Sequence, residues 1–310
     1  MKLIKVIILS IILTAQALAQ DVNFESVDLK VTSLVEGTLL RPADQSAVPL
    51  VIIIQGSGPT DRDGNQPMVM NNSLKYLAQG LSEAGIASFR YDKRIMPMLR
   101  NRTLNEATLS FNDFVDDAKA VLKYFQNSGA FSEIHIAGHS QGSLVGMLAA
   151  QEGADGFISL AGAGQSIDEV IIDQLERQAP GLAENAQQAF KDMRTDGKAE
   201  QFSPGLASIF RKDIQPFMLS WMQYDPKVEI AKLSCPVLIV NGNKDLQVDV
   251  EEAQLLAQAK PDAQFAVVEN MNHVLKFIEG SDMENAKSYN EPNKPLSPGF
   301  LDIVVDFVNQ

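Results

Sequence analysis

The sequence has few of the residues that define several protein classes. It contains one cysteine, Cys235, in 310 residues, which excludes an intramolecular disulfide framework and a cysteine-rich metal site. The chain carries 26 basic and 39 acidic residues, a formal net charge of −13. This charge argues against nucleic-acid binding, because phosphates are bound by cationic surfaces. Glycine (20) and proline (14) are close to ordinary usage, which excludes collagen-like and low-complexity proteins.

Apolar residues, in contrast, make up 45% of the chain, enough for a large core. Two segments with alternating polarity, 22–31 and 34–40, predict an antiparallel pair of strands. After them, segments with strand and helix periodicity alternate. This order predicts an α/β fold with a mostly parallel sheet that helices cover on both faces. The later predicted strands are 48–54, 86–91, 133–137, 156–161, 235–241 and 264–268.

Residues 1–19 have the composition of a secretory signal peptide. Two lysines precede an apolar run at 6–13, and an Ala-Leu-Ala sequence ending at Ala19 fits a small-residue cleavage site. A membrane anchor is the alternative, but the run is shorter than the ~20 residues that span a bilayer. We therefore expect cleavage near Ala19 and an exported protein, periplasmic or secreted, without a stable membrane anchor.

Between residues 162 and 226 the alternation of strands and helices stops. This stretch has helical periodicity and no strong strand pattern, and strands resume after it with the earlier pattern. We interpret it as a helical cap, at about 163–228, inserted into one α/β domain that spans 20–310. A separate helical domain is the alternative.

The sequence Gly138-His139-Ser140-Gln141-Gly142 fits the G-x-S-x-G pattern. It lies between a predicted strand and a predicted helix, the context in which this pattern exposes a nucleophilic serine on a tight turn. Glycines on both sides relieve crowding in such a turn. The following helix N-terminus places backbone N–H groups near developing negative charge. Ser140 is therefore the candidate nucleophile, against the alternative of an ordinary Gly-Ser turn.

A serine hydroxyl needs a base, and the scarcity of histidine limits the choice. His139 lies within the serine turn and should point elsewhere, and His135 lies in a predicted central strand, where a packed side chain is expected. His273 follows the predicted strand 264–268, at the sheet edge where α/β sites assemble. We assign His273 as the base. A metal hydrolase is disfavoured because His273 is then already assigned, so no metal site is expected.

The base needs an acid that orients it and stabilises the imidazolium. Asp245 follows the predicted strand 235–241 and so lies at the same sheet edge. Asp249 is the rival acid, but it precedes a predicted helix and suits a capping role better. Asp245 is therefore the candidate acid.

An oxyanion site needs two N–H donors near the serine. The residue after the nucleophile, Gln141, supplies the first through its backbone, and Ser57 in the loop after strand 48–54 supplies the second. Gly56 and Gly58 in this loop also resemble a dinucleotide fingerprint. Asp61 stands where that fingerprint needs its third glycine, so the nucleotide interpretation is disfavoured.

Together these residues resemble the α/β-hydrolase superfamily over nearly all of the chain beyond residue 20. The closest resemblance is to bacterial exported or cytoplasmic serine esterases with a Gly-Ser-Gly-Pro-Thr-Asp-Arg-Asp-Gly-Asn oxyanion loop, here 56–65. The sequence Phe89-Arg90-Tyr91-Asp92-Lys93-Arg94 and the pair Asn272-His273 also match. The chain order Ser140, Asp245, His273 is the order of such hydrolases. The resemblance implies hydrolysis of short acyl or aryl esters without a cofactor.

Two parts of the resemblance leave alternatives open. Asp61, Arg62 and Asp63 either hold the oxyanion loop in place or form a solvated turn with Asx hydrogen bonds. The group usually has glycine after the Lys-Arg pair, where this chain has an apolar loop at 95–98. That loop is expected to shape the acyl pocket.

The expected function is a serine hydrolase that cleaves small carboxylic esters through an acyl-enzyme. An exported serine peptidase of aminopeptidase type is the alternative, because the triad does not distinguish an ester from an amide. Such a peptidase would need an acid such as Glu169, Asp173 or Glu176 for the substrate's amino group. A non-catalytic binding protein on this fold is a third possibility. The expected partner is a small-molecule ester, and the sequence carries no signal for an oligomeric state.

Overall fold

One eight-stranded sheet organises the fold of the residues that the computed structural model describes, 24–43 and 47–310. The predicted signal peptide at 1–19 lies outside this part of the chain. The strands are β1 (Phe24–Lys30), β2 (Glu36–Pro42), β3 (Leu50–Ile54), β4 (Ala87–Tyr91), β5 (Ile134–His139), β6 (Gly156–Leu160), β7 (Val237–Gly242) and β8 (Gln264–Val268). Their order in the sheet is β1-β2-β4-β3-β5-β6-β7-β8.

The pairing directions confirm the predicted mostly parallel sheet. Strand β2 pairs antiparallel with β1, as the alternating N-terminal segments predicted, and it also pairs antiparallel with β4, which the sequence did not predict. From β4 to β8 every neighbouring pair is parallel. The carboxyl ends of β3 to β8 therefore lie at one edge, where residues distant in sequence can meet.

Helices lie between the strands in sequence. They are α1 (Ser73–Glu83), α2 (Ile95–Arg100), α3 (Phe111–Ser128), α4 (Gln141–Ala150), α5 (Ile167–Gln178), α6 (Pro180–Asp196), α7 (Ala207–Phe210), α8 (Gln215–Trp221), α9 (Pro226–Ala231), α10 (Val250–Ala259), α11 (Asp282–Ser288) and α12 (Phe300–Val308). Local sequence explains their ends: in α3, Ser110 and Asp113 form a capping box, and Gly129 ends the helix at φ +58°. In the described part of the chain, no helix is both long and apolar enough to cross a membrane.

The sheet is covered on both faces, which explains the continuous apolar run in β3. Its residues alternate between two cores: Leu50, Ile52 and Ile54 pack with α3 and α4, whereas Val51 and Ile53 pack with α1 and α12. A strand buried on both faces needs apolar residues at every position, not at every second one. All five residues are buried.

Two local predictions are wrong. The segment predicted as an apolar loop after the Lys-Arg pair is helix α2. Its Pro97 lies in the first turn, where a helix makes no use of the missing N–H, so the proline does not prevent the helix. The predicted strand 235–241 begins only at Val237, so Cys235 lies before the strand, where it is half-buried.

The segment between β6 and β7 is helical in all its regular structure, with α5 to α9 and one 3-10 turn at Pro204–Leu206. We call residues 163–231 the helical insertion. It is anchored to the start of α3, where the rings of Trp221 and Phe111 stack with centroids 5.4 Å apart. The Phe111 N–H also donates to Ser220 Oγ at 2.8 Å. Within the insertion, Arg194 holds the buried Asp168 through hydrogen bonds of 2.7 and 2.8 Å.

The contact between α4 and β3 generates a prediction about Gly142. A Cβ at this position would lie 2.5 Å from the carbonyl oxygen of Ile54 and 2.7 Å from that of Gln55, both backbone atoms. We expect Gly142→Ala to lower the free energy of unfolding by about 3 kcal/mol or more, since the backbone must move. Gly181→Ala is the control, because Gly181 is exposed on α6 with open space around it. Thermal unfolding should show a much lower melting temperature for Gly142→Ala and an unchanged one for Gly181→Ala. Equal melting temperatures for the two variants would contradict the close approach of α4 to β3.

Candidate active site

Ser140 occupies a strained turn between β5 and α4. Its backbone has φ 54° and ψ −123°, a conformation that costs a non-glycine residue energy and is typical of an exposed nucleophile. The turn is held by a 2.9 Å hydrogen bond from the Ser140 N–H to the Leu160 carbonyl at the end of β6. A side chain at Gly138 would collide with the Gly142 carbonyl. Both flanking glycines are therefore needed for this path of the chain.

Asp245 and His273 form a buried pair on the loops after β7 and β8. Asp245 Oδ2 lies 2.7 Å from His273 Nδ1, and the Asp245 side chain has no exposed surface. The other oxygen, Oδ1, accepts the N–H groups of Gln247 and Val248 at 2.8 and 2.9 Å. The carboxylate is thus fixed by three hydrogen bonds. Its rival Asp249 caps α10 through a 3.4 Å contact with the Glu252 N–H, as the sequence predicted.

Ser140 and His273 line one cavity together, although no hydrogen bond joins these two described side chains. Catalytic hydrogen bonds are often long in proteins without substrate and shorten when it binds. The structure thus brings the three predicted residues to one sheet edge. The hydrogen bond between Asp245 and His273 is formed, whereas the one between His273 and Ser140 is not.

His139 contacts the loop after β8, which carries the candidate base His273 and which we call the base loop. Its Nε2 lies 2.7 Å from the backbone oxygen of His273. Burial, aided by the nearby His273, lowers the pKa of His139 to about 4, so the ring is neutral at neutral pH and its Nε2–H donates. His135 is packed in β5, as predicted, beside Glu133. Three residues separate His135 from His139 along β5, and the described residues contain no cluster able to hold a metal ion.

The predicted oxyanion donors lie beside the serine. Ser57 and Gln141 line a cavity together with Ser140. Among the described residues, no acceptor takes a hydrogen bond from either backbone N–H. Two unoccupied N–H groups next to a nucleophile are what an oxyanion site requires.

The residues Asp61, Arg62 and Asp63 combine a local turn with ion pairs to the end of the neighbouring strand β4. Asp61 accepts the N–H groups of Asp63 and Asn65 at 2.9 and 2.8 Å, which is an Asx-type turn. Arg62 reaches out of the loop to Asp92 at the end of β4, with two contacts of 3.1 Å. Asp63 binds Arg90 at 2.8 Å. The turn is therefore tied to β4 by two ion pairs.

Lys93 is the residue that the sequence analysis missed. It follows Asp92 after β4, and its side chain is buried, with Nζ donating to the Gly56 carbonyl at 2.8 Å and to Gln141 Oε1. Burial lowers the pKa of Lys93 to about 7. The sequence pointed to Lys93 only as one residue of the Phe89–Arg94 motif, and the motif did not indicate which groups its side chain contacts.

Two cavities of about 300 Å³ each meet at Ser140 and differ in lining. We call the first the apolar cavity, since the insertion covers it with Ile167, Val170, Ile171 and Trp221. The second, the polar cavity, contains His273 and the polar side chains of Thr60, Gln66, Asn71, Ser73, Gln247 and Tyr289.

The fold and this edge site define an α/β hydrolase. A family model described as the alpha/beta hydrolase family matches residues 76–282, more than half of the chain, and the chain belongs to this family.

The chain is also similar to individual proteins, in sequence or in fold. The chain is 27% identical over 268 residues to a protein named Esterase EstD from Thermotoga maritima, and it covers 62% of that protein's length. Its fold is similar to that of Est1E from Butyrivibrio proteoclasticus, with a TM-score of 0.57, 18% identity and coverage of 91% of this chain and 95% of the other. A puromycin-hydrolyzing peptidase of Mycobacterium tuberculosis shares the fold with a TM-score of 0.52 and 16% identity, over 93% of this chain and 39% of that one.

The lowered pKa of Lys93 generates a prediction about stability. Below about pH 7 the group is charged in both the folded and the unfolded chain, and the cost of burying the charge is fully present. Between about pH 7 and its ordinary value of 10.5, only the unfolded chain holds the proton, so stability rises with pH. We expect the free energy of unfolding of the wild type, relative to Lys93→Met, to increase from pH 7 to pH 10. Denaturant titrations across this range would measure it, and a constant difference would refute the lowered pKa.

Proposed function

We propose that this protein is a serine esterase that hydrolyses small carboxylic esters through an acyl-enzyme. Ser140 is the nucleophile, His273 the general base and Asp245 the acid that orients it. The observation that carries the proposal is the joint placement at one sheet edge of a strained serine, a buried His-Asp pair and two unoccupied N–H groups. Kinship with a protein named an esterase supports the ester as the substrate.

The proposed reaction follows from this placement. Ser140 Oγ attacks the ester carbonyl carbon while His273 Nε2 takes the hydroxyl proton, and the carbonyl oxygen becomes an oxyanion held by the Ser57 and Gln141 N–H groups. The tetrahedral adduct then expels the alcohol, which takes the proton from His273. Water attacks the acyl-enzyme in the same manner, which releases the acid and restores Ser140.

The cavity linings support an ester over a peptide. A dedicated aminopeptidase needs a carboxylate for the amino end of its substrate, but no acidic residue is found among the described residues lining either cavity. Of the three candidate acids on α5, Glu169 and Glu176 are exposed. The third, Asp173, accepts a hydrogen bond from Gln165.

Several further assignments belong to the same proposal. The ion pairs of Arg62 and Asp63 with β4, together with the turn formed by Asp61, support a role of these residues in holding the oxyanion loop. The helical insertion acts as a cap over Ser140, inserted in a single domain at 20–310. The composition of residues 1–19 supports export to the periplasm or beyond, and the loop resemblance supports a place among exported esterases.

The nucleophile is tested by Ser140→Ala. We expect kcat for an aryl acetate to fall by about four orders of magnitude or more, because the substitution removes the hydroxyl that forms the acyl-enzyme. Ser143→Ala is the matched control, since this serine lies one turn into α4 and contacts Ser159 at 2.7 Å. A fluorophosphonate probe should label the wild type and Ser143→Ala but not Ser140→Ala. Labelling of Ser140→Ala would overturn the proposal, and preference for an aminoacyl anilide over the aryl acetate would favour the peptidase.

The two cavities have different roles in this proposal. The leaving alcohol must take its proton from His273, which lines the polar cavity and not the apolar one. The alcohol therefore lies in the polar cavity, and the acyl group lies in the apolar cavity beneath the insertion.

A substitution in the apolar cavity tests this assignment. Each buried methylene is worth about 0.8 kcal/mol, so kcat/KM for p-nitrophenyl esters should rise up to about fourfold per added methylene until the cavity is full. Ile171→Trp fills the cavity and should abolish this rise while acetate hydrolysis is kept. The control Val228→Trp places the same ring on the exposed face of α9, where the chain-length profile should not change. An unchanged profile in Ile171→Trp would place the acyl group elsewhere.

A further inference from the structure

Lys93 is buried with neutral partners only. It is 5% exposed, and none of the ion pairs among the described residues includes it. Its Nζ lies 4.4 Å from the centre of the Phe114 ring and donates to two oxygens, those of Gly56 and the Gln141 side chain. A void of about 10 Å³ beside it has room for one water at most. Burying a cation without an opposite charge costs stability. The presence of a lysine at position 93 is therefore not explained by a contribution to stability.

The first partner fixes the direction of a proposed oxyanion donor. The Gly56 carbonyl and the Ser57 N–H belong to one peptide unit, which is planar and trans, so the two groups point in opposite directions. A hydrogen bond that holds the carbonyl toward Lys93 therefore holds the N–H away from it. Ser57 lines the apolar cavity beside Ser140, and Lys93 does not.

The second partner leads to the other donor. Gln141 follows the nucleophile, and its own backbone N–H is the second proposed oxyanion donor. Lys93 holds the side chain of this residue, while its backbone begins α4. One buried side chain thus bridges the oxyanion loop after β3 and the nucleophile turn after β5, the two segments that carry the donors.

We propose that Lys93 is a positioning residue that sets the distance and direction between the Ser57 and Gln141 N–H groups, so that both point at the oxyanion. This inference rests on the proposed function. Lys93 lines neither of the two cavities at Ser140 and so does not touch the substrate. Neighbouring charged residues have other partners: Asp92 binds Arg62, and Arg94 binds Asp113 and Asp117 of α3.

The test uses Lys93→Met, which keeps the length and apolar stem of the side chain but removes both hydrogen bonds. Loss of one oxyanion donor lowers kcat by about 100- to 1,000-fold, so misdirected donors should lower it by about 10- to 100-fold. KM should change by less than about threefold, because the ester carbonyl gains its negative charge only in the transition state. A trifluoromethyl ketone that adds to Ser140 forms a stable oxyanion, and its Ki should rise by the same factor as kcat falls.

Arg94→Met is the matched control. This adjacent cation holds α3 and not the oxyanion loop, so its loss should lower the melting temperature while kcat and Ki stay within about threefold of the wild type. If Lys93 had only a structural role, Lys93→Met would likewise lower the melting temperature and leave kcat and Ki within about threefold of the wild type. That result, or an equal rise of KM and Ki, would overturn the proposal.

A second variant keeps the test decisive if Lys93→Met does not fold. Gln141→Met removes only the side-chain acceptor and keeps the backbone donor, and we expect kcat to fall by about 3- to 10-fold with the same rise in Ki. Unchanged kcat and Ki in this folded variant would overturn the bridge. Failure of the proposed function is distinguishable, because it would appear as activity or labelling in Ser140→Ala with any Lys93 variant.

Discussion

The close approach of helix α4 to the carboxyl ends of β3 and β5 is the constraint on which the rest of the site depends. Only glycine at 138 and 142 permits it, because backbone carbonyls occupy the space that a Cβ would need. The approach forces Ser140 into its strained conformation and places the first N–H groups of α4 beside the loop after β3. Complete burial of α4 and the bond from Ser140 to β6 stabilise the strained turn, which no local interaction could do alone.

From this contact, consecutive residues serve different parts of the site. His139 holds the backbone of the base loop, Ser140 presents the hydroxyl, and Gln141 offers a backbone N–H on one side and a side-chain oxygen on the other. His139 can act as a neutral donor because burial lowers its pKa to about 4. A single turn of chain thus contacts the base loop, the cavities and the end of β4, so substitutions within it affect several contacts at once.

The end of β4 links the remaining elements through three charged residues in a row. Asp92 binds Arg62 of the oxyanion loop, Lys93 reaches Gly56 and Gln141, and Arg94 binds α3. Two of the three are paired with opposite charges, whereas Lys93 is buried against neutral oxygens and an aromatic ring. Lys93 lies behind the proposed oxyanion donors, and under the proposed function a loss of stability at this place would serve the reaction.

The sequence by itself predicted the strands and their mostly parallel arrangement, the serine turn, and His273 and Asp245 as the candidate base and acid, because these inferences depend on local chemistry and on the few histidines available. It did not reveal helix α2, whose proline is harmless only in a first turn, nor that His139 supports the base loop. Lys93 was beyond its reach because its partners are 37 and 48 residues away. The contacts of Lys93 and the two cavities were decided only by the tertiary structure, which brings the carboxyl ends of β3, β4 and β5 together at one edge of the sheet. The burial of a side chain and its contacts with residues distant in sequence exist only in the folded chain.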